Sequence, residues 1–126
     1  TIIASDAMPY APLAHPRTAG TYSRVLGKYV REEKIISLEE AIRRMTSLPA
    51  QKFQLKNIGL LKEGMDADIV VFDEKEVTDK STYEKPHQYS TGFKFVLVNG
   101  MLTMDNGQHT GIRAGKALYN GSVSVK

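Results

Sequence analysis

The hydrophobic pattern of the chain changes near residue 58, and this change limits the possible folds more than any other feature. Before it, segments 21–34 and 37–49 repeat apolar residues at helical spacing, which predicts two amphipathic helices. After it, "DADIVVFD" and "FKFVLV" are short runs rich in β-branched or aromatic residues, and such runs are typical of strands. The sequence therefore predicts an α/β part, residues 1–58, and an all-β part, residues 59–126.

Local signals mark the second helix most clearly. Ser37 and Glu40 form a capping box at its start, and Pro49 is expected to end it. Two Glu–Arg pairs at i, i+4 spacing are expected to stabilise it, namely Glu39 with Arg43 and Glu40 with Arg44.

The first residues predict a buried strand that leads into a long loop. "TIIAS" is an apolar run that stops at Asp6, and three prolines and a glycine then fall within residues 8–20, which predicts an irregular segment. The first helix is expected from Thr21 onwards. Long ordered loops inside compact domains tend to carry functional residues.

Turn signals organise the β part. Asn99-Gly100 separates "FKFVLV" from "MLTM", and Asn-Gly between two apolar runs is the strongest short-range hairpin signal. "DNG" at 105–107 predicts a further turn.

Neither part can close a core from its own elements. One strand and two amphipathic helices leave the apolar helix faces uncovered, and three or four strands leave open sheet edges. We therefore expect the chain to be a C-terminal fragment that self-associates or pairs with a missing N-terminal part.

Composition excludes several classes of protein. The 126 residues contain no cysteine, so disulfides and thiolate chemistry are excluded and a reducing, cytoplasmic location is expected. The net charge is only +3, and the basic residues are spread along the sequence. The sequence has no basic patch with interleaved aromatic residues, the pattern that would indicate nucleic-acid binding. No apolar run reaches transmembrane length, so no membrane partner is expected.

Several separate motifs resemble one enzyme family. "IGLLKEGMDADIVVFD" is similar to a stretch near the C-terminus of amidohydrolase-superfamily enzymes. "SDAMPYAPLAHPRTAGTYSRVLGKYVRE", "TSLPAQKF" and "PHQYSTG" resemble the D-aminoacylases, or N-acyl-D-amino-acid deacylases. The resemblance implies a (β/α)8 barrel with a zinc site and a small β-sandwich. Residues 1–58 would be the last barrel strand with its helices, and residues 59–126 the C-terminal part of the sandwich.

The resemblance also implies roles for three residues. Asp6 in the "SD" motif would move the proton in amide hydrolysis, and in two-metal relatives the matching Asp also ligates a metal. Arg17 in "HPR" would hold the carboxylate of a small N-acyl amino acid substrate, with His15 as a weaker candidate for orienting Asp6 or the substrate. From the residues alone, Asp6 is more typical of a turn or cap and His15 of a local hydrogen bond, while Arg17 also suits an exposed ion pair. One departure from the family pattern is Ala7, where glycine is usual.

Other polar residues predict structure more than chemistry. His15, His87 and His109 are too dispersed in the sequence to suggest a metal site, which needs three or four converging ligands. Asp66, Asp68 and Asp73 are expected to be polar ends around a buried strand. The resemblance places the zinc ligands upstream of Thr1, so the fragment alone is not expected to be active.

Two other functions remain open at this point. One is an amidohydrolase acting on cyclic amides, of the hydantoinase or dihydroorotase type, against which the "HPR…GTY" loop argues. The other is a non-catalytic β module that assembles with a partner chain, which the open strand edges favour.

Overall fold

The computed structural model describes residues 1–8, 10–12 and 14–119. A group of short helices precedes a four-stranded antiparallel sheet with strand order β1-β2-β3-β4. The helical elements are α1 (Arg17–Arg24), a π-helical segment that continues it (Val25–Glu32), α2 (Leu38–Met45) and α3 (Ser47–Lys52). The strands are β1 (Ile69–Phe72), β2 (Phe93–Val98), β3 (Met101–Asp105) and β4 (Gln108–His109).

The predicted strand at "TIIAS" is not formed in this chain. Residues 1–8 have no regular secondary structure. A backbone hydrogen bond from Ile3 N–H to the Arg44 oxygen, at 3.2 Å, joins this segment to α2. A strand is defined by pairing with a neighbouring strand, and the described residues bring none beside this segment.

The first helix begins earlier than the sequence predicted. Arg17 opens α1, four residues before Thr21, and Pro16 occupies the N-cap position with φ −50°. Proline suits a helix start because its φ is already helical and its missing N–H has no intrahelical partner there. Pro16, one of the three prolines that predicted a loop, thus also marks the start of a helix. Pro9 lies outside the described residues.

The N-cap of α2 at Ser37 is confirmed, but the Glu40 carboxylate binds Arg43 and Arg44 and does not complete the capping box, and two further details of this region were wrong. Ser37 Oγ accepts a hydrogen bond from the Glu40 N–H at 3.2 Å. Pro49 does not end the helical region, because the break falls at Thr46 (φ −127°, ψ −85°) and Pro49 lies in the first turn of α3, where proline is tolerated. Arg43 pairs with Glu40 at 2.7 Å and not with Glu39.

The hairpin at Asn99-Gly100 is confirmed, as is the turn at "DNG". Asn99 and Gly100 have φ of 49° and 76°, the left-handed pair that a two-residue type I′ turn requires. The turn joins β2 to β3, which pair from Phe95 with Asp105 to Val98 with Met101. β1 forms where "IVVF" predicted a strand, but Val70 and Val71 are 50% and 43% exposed, so the predicted burial of this strand is wrong for the chain as it stands.

The helices meet the β part at the segment around Val77. Val77 is fully buried, and a Cβ on Gly27 would lie 2.7 Å from its backbone oxygen. The π-helical segment can therefore approach this backbone only because residue 27 is glycine. Ser23 Oγ and Ser90 Oγ form a second link at 2.5 Å. Within the described part of the chain, no helix is both long and apolar enough to cross a membrane.

Candidate active site

Asp6 and Arg17 form an ion pair. Arg17 Nη2 lies 2.7 Å from Asp6 Oδ2, and the two side chains are 43% and 84% exposed. Exposed ion pairs contribute little to stability, so the fold gains little from this contact. The pair presents one carboxylate and one guanidinium together at an accessible surface.

The backbone of Asp6 is in the left-handed region, with φ 51°. Asp adopts this conformation more readily than most residues, and such residues are concentrated at functional sites. This backbone conformation gives position 6 a local reason to be Asp, in addition to any chemical role.

Arg17 is the first residue of α1. The positive end of the helix dipole makes this an unfavourable place for a cation, so helix stability does not account for Arg17. Its side chain instead reaches across to Asp6. The position is thus better explained by what the guanidinium binds than by the helix that carries it.

His15 has a partner on each ring nitrogen. Nδ1 accepts a hydrogen bond from the Arg17 backbone N–H at 3.0 Å, and Nε2 lies 3.0 Å from the hydroxyl of Tyr83. The two rings meet edge to face with centroids 5.1 Å apart. His15 therefore connects the loop that carries Asp6 to a residue of the β part.

Tyr83 was missed from the sequence. It lies in the polar, turn-rich stretch between β1 and β2, where no periodicity or motif singled it out. With His15 and Arg17 it lines an open cleft of about 340 Å³. Arg24 and Asp79 lie in the same cleft and form an ion pair at 3.0 Å. The hydrogen bond and charge of Asp79 raise the pKa of Arg24 above its ordinary value.

The "PHQYS" segment also contacts the loop. His87 Nε2 lies 3.0 Å from the backbone oxygen of Ala11, so the segment holds the loop at a second point. His109 makes a local contact at the end of β4, where its Nδ1 accepts a hydrogen bond from the Gly111 N–H at 2.8 Å.

The carboxylates around β1 have structural partners, as the sequence predicted. Asp68 accepts from the Asn99 N–H at 2.8 Å, Asp73 accepts from the Lys75 N–H at 2.8 Å, and Asp66 pairs with Lys116 at 2.7 Å. They fix strand ends and turns. Among residues 1–8, 10–12 and 14–119, no three His, Asp or Glu side chains converge as a metal site would require.

Residues 1–104 match the model of the amidohydrolase family. The chain belongs to the amidohydrolase family. This amidohydrolase chain is 44% identical to an N-acyl-D-aspartate deacylase of Alcaligenes xylosoxydans xylosoxydans. The match covers 98% of this chain and 25% of that relative. The antiparallel sheet and its helices match those of solved deacylases. A D-aminoacylase crystal structure superposes with a TM-score of 0.91 at 41% identity, covering 94% of this chain and 25% of the other.

A second solved structure has the same relation to this amidohydrolase chain. It is the N-acyl-D-glutamate deacylase of Bordetella bronchiseptica complexed with zinc and a phosphonate inhibitor, with a TM-score of 0.85 at 42% identity. The match covers 93% of this chain and 24% of that one. The chain thus spans about a quarter of the length of the relatives it matches.

Proposed function

We propose that this chain is part of a zinc-dependent deacylase that hydrolyses N-acyl-D-amino acids to a carboxylate and a free D-amino acid. The observation that carries the proposal is the Asp6–Arg17 pair, 2.7 Å apart, in a chain 44% identical to an N-acyl-D-aspartate deacylase. The preference for the D isomer rests on the relatives alone. The chain by itself is not expected to be active.

Asp6 is the proposed catalytic residue. Its carboxylate would accept a proton from the attacking water and pass it to the leaving nitrogen, as the C–O bond forms and the C–N bond breaks. Its 84% side-chain exposure leaves it open to a substrate and a water. Asp is also acceptable in the left-handed conformation at this position, so the backbone and the proposed chemistry are compatible with the same residue type.

Arg17 is the proposed anchor for the α-carboxylate of the substrate. Its guanidinium already holds a carboxylate, that of Asp6, and its planar donor fork suits a carboxylate better than a lysine would. The substrate carboxylate would take over this contact and leave Asp6 free for proton transfer. His15 completes the proposed substrate-binding pair through its hydrogen bond to the Arg17 N–H.

Zinc, when bound, would polarise the amide carbonyl and lower the pKa of a bound water. The described residues do not fit a complete zinc site, because no three ligand side chains converge. The ligands would therefore come mainly from polypeptide outside this chain, with Asp6 as a candidate additional ligand.

We infer that residues 1–58 belong to the C-terminal end of a (β/α)8 barrel and residues 59–126 to a β-sandwich. Support comes from an apolar groove of about 420 Å³ between the helices and the sheet, lined among others by Tyr22, Met45, Val70 and Met104. Monomers rarely leave large apolar patches uncovered. Further polypeptide would cover the groove and provide a neighbouring strand for residues 1–5.

The expected partners are a small N-acyl amino acid and either the remaining polypeptide or a second copy of the chain. Light scattering on the isolated chain tests the second expectation. Association that disappears in Val70→Lys, which places a charge in the apolar groove, would support it. A monodisperse monomer at high concentration would contradict it. A cytoplasmic location stays a prediction.

The decisive experiment uses the full-length polypeptide that contains this chain, purified with zinc. We expect release of free amino acid from N-acetyl-D-methionine but not from the L isomer, and its loss in Asp6→Ala with zinc retained. Asp105→Ala is the matched control, because Asp105 lies at the end of β3 and pairs locally with Asn106. Turnover of a cyclic amide with neither isomer hydrolysed would favour the hydantoinase or dihydroorotase alternative.

A further inference from the structure

We propose that Tyr83 is a positioning residue for Arg17, so that residues 59–126 contribute directly to the binding of the substrate carboxylate. The inference rests on the proposed function, because it concerns how the proposed anchor is held. It extends the site to a residue 68 positions from His15 in the sequence.

The ring of His15 connects Tyr83 to the backbone of Arg17. Its Nδ1 accepts the Arg17 backbone N–H at 3.0 Å, so in the neutral ring the proton lies on Nε2. That N–H then donates to the Tyr83 hydroxyl oxygen at 3.0 Å. Removing the hydroxyl would leave the imidazole free to rotate or to change tautomer, and either change breaks the bond to Arg17.

The Arg17 N–H takes its hydrogen-bond partner from outside the helix. It is the first amide of α1, and such amides have no partner inside the helix. His15 provides one partner through its ring, and its backbone oxygen accepts from the Thr18 N–H at 2.9 Å. The start of the helix, and with it the Cα from which the guanidinium projects, is thus fixed by His15.

The turn that presents Tyr83 is held by several hydrogen bonds. The Thr82 N–H donates to the Lys85 oxygen at 3.1 Å, and the Lys85 N–H donates to Thr82 Oγ1 at 3.1 Å. Gln88 Nε2 donates to the Lys80 and Lys85 oxygens at 2.7 and 2.9 Å. A turn held this way keeps an exposed tyrosine in place without burying it.

The chain offers a matched pair of tyrosines for the test. Tyr83 and Tyr119 are 69% and 57% exposed, and of these two hydroxyls only that of Tyr83 has a hydrogen-bond partner within the described residues. Tyr83→Phe and Tyr119→Phe therefore remove the same atom from two exposed rings. Tyr83→Phe keeps the ring that packs against His15, so the fold is expected to persist.

The experiment measures KM and kcat of the full-length, zinc-loaded protein on N-acetyl-D-methionine. We expect Tyr83→Phe to raise KM about three- to ten-fold, the value of one hydrogen bond, with kcat within about two-fold. Tyr119→Phe should leave both constants unchanged. His15→Ala is expected to raise KM at least as much. The double variant is expected to resemble His15→Ala alone, because both changes break one chain of contacts.

Calorimetric binding of the product separates positioning from general damage without any turnover. D-methionine carries the α-carboxylate and D-methioninamide does not. Tyr83→Phe is expected to weaken binding of the acid by the same factor as KM and to leave binding of the amide unchanged. Equal weakening of both, or an unchanged KM in an active enzyme, would overturn the inference. A wild-type protein that hydrolyses no N-acyl amino acid would overturn the proposed function and the inference with it.

Discussion

Arg31 donates a 2.6 Å hydrogen bond from Nη1 to the backbone oxygen of Val77. The same guanidinium reaches the Glu74 oxygen at 3.1 Å and Thr78 Oγ1 at 3.1 Å. One side chain on the π-helical segment thus binds the backbone just before the isolated antiparallel bridge between Thr78 and Thr91. This contact holds the helices against the β part.

Arg31→Ala is expected to lower the stability of the full-length protein by about 1–3 kcal/mol, because it leaves the buried Val77 oxygen without its donor. Arg113→Ala, which removes an exposed arginine near the end of the described chain, is the control. The measurement is the thermal midpoint of each variant. A midpoint equal to that of the control would show that the contact contributes nothing.

Gly27→Ala tests the close approach of the same two elements. A new Cβ would lie 2.7 Å from the Val77 oxygen. Alanine normally favours a helix by about 1 kcal/mol over glycine, but overpacking against backbone costs about 1–3 kcal/mol, so a net loss of stability is expected. Gly115→Ala has open space around it and should be neutral. Stabilisation by Gly27→Ala would mean that the interface can shift.

Arg17→Lys tests the proposed anchor directly. Lysine keeps the charge but loses the planar pair of donors, so KM for an N-acyl-D-amino acid is expected to rise about ten- to a hundred-fold, as for loss of a hydrogen bond to a charged group. kcat should change less. Steady-state kinetics measures both, and an unchanged KM would remove Arg17 from the site.

Glu40 provides a prediction about pH. Hydrogen bonds from Arg43 and then Arg44 lower the pKa of Glu40 from 4.5 to about 2. A lowered pKa in the folded state means that the contribution is present above the unfolded value and is lost as the pH falls. Glu40→Gln should therefore lower the thermal midpoint slightly at pH 7. The difference should disappear between pH 4.5 and pH 2, and a difference that persisted at pH 2 would point to another cause.

Features set by neighbouring residues could be predicted from the sequence, and those set by distant residues could not. The capping bond from Ser37 and the turn at Asn99-Gly100 depend on residues within a few positions, and both are confirmed. The choice of Arg43 between Glu39 and Glu40 depends on side-chain directions, which spacing alone does not determine. The prediction that Pro49 ends the helix was wrong because proline is unfavourable inside a helix but acceptable in its first turn.

In the candidate site, too, some residues could be proposed from the sequence and one could not. The motif resemblance proposed Asp6, Arg17 and His15, and the structure brings Asp6 to Arg17 and His15 to the Arg17 amide. Tyr83 carries no local signal, because its relation to His15 arises only from how the two parts of the chain pack. Burial of β1 was predicted from its run of β-branched and aromatic residues, and such a run does not show what covers the strand.

The contact between His15 and Tyr83 also has a consequence for the order of events during synthesis. Their 68-residue separation means that the ribosome needs roughly 3–14 s to add Tyr83 after His15, at typical elongation rates of about 5–20 residues per second. For most of that interval the loop with Asp6 and the residues of α1 have been synthesised, but the tyrosine that contacts His15 has not. The anchor can therefore mature only after translation has passed the turn at residues 82–85.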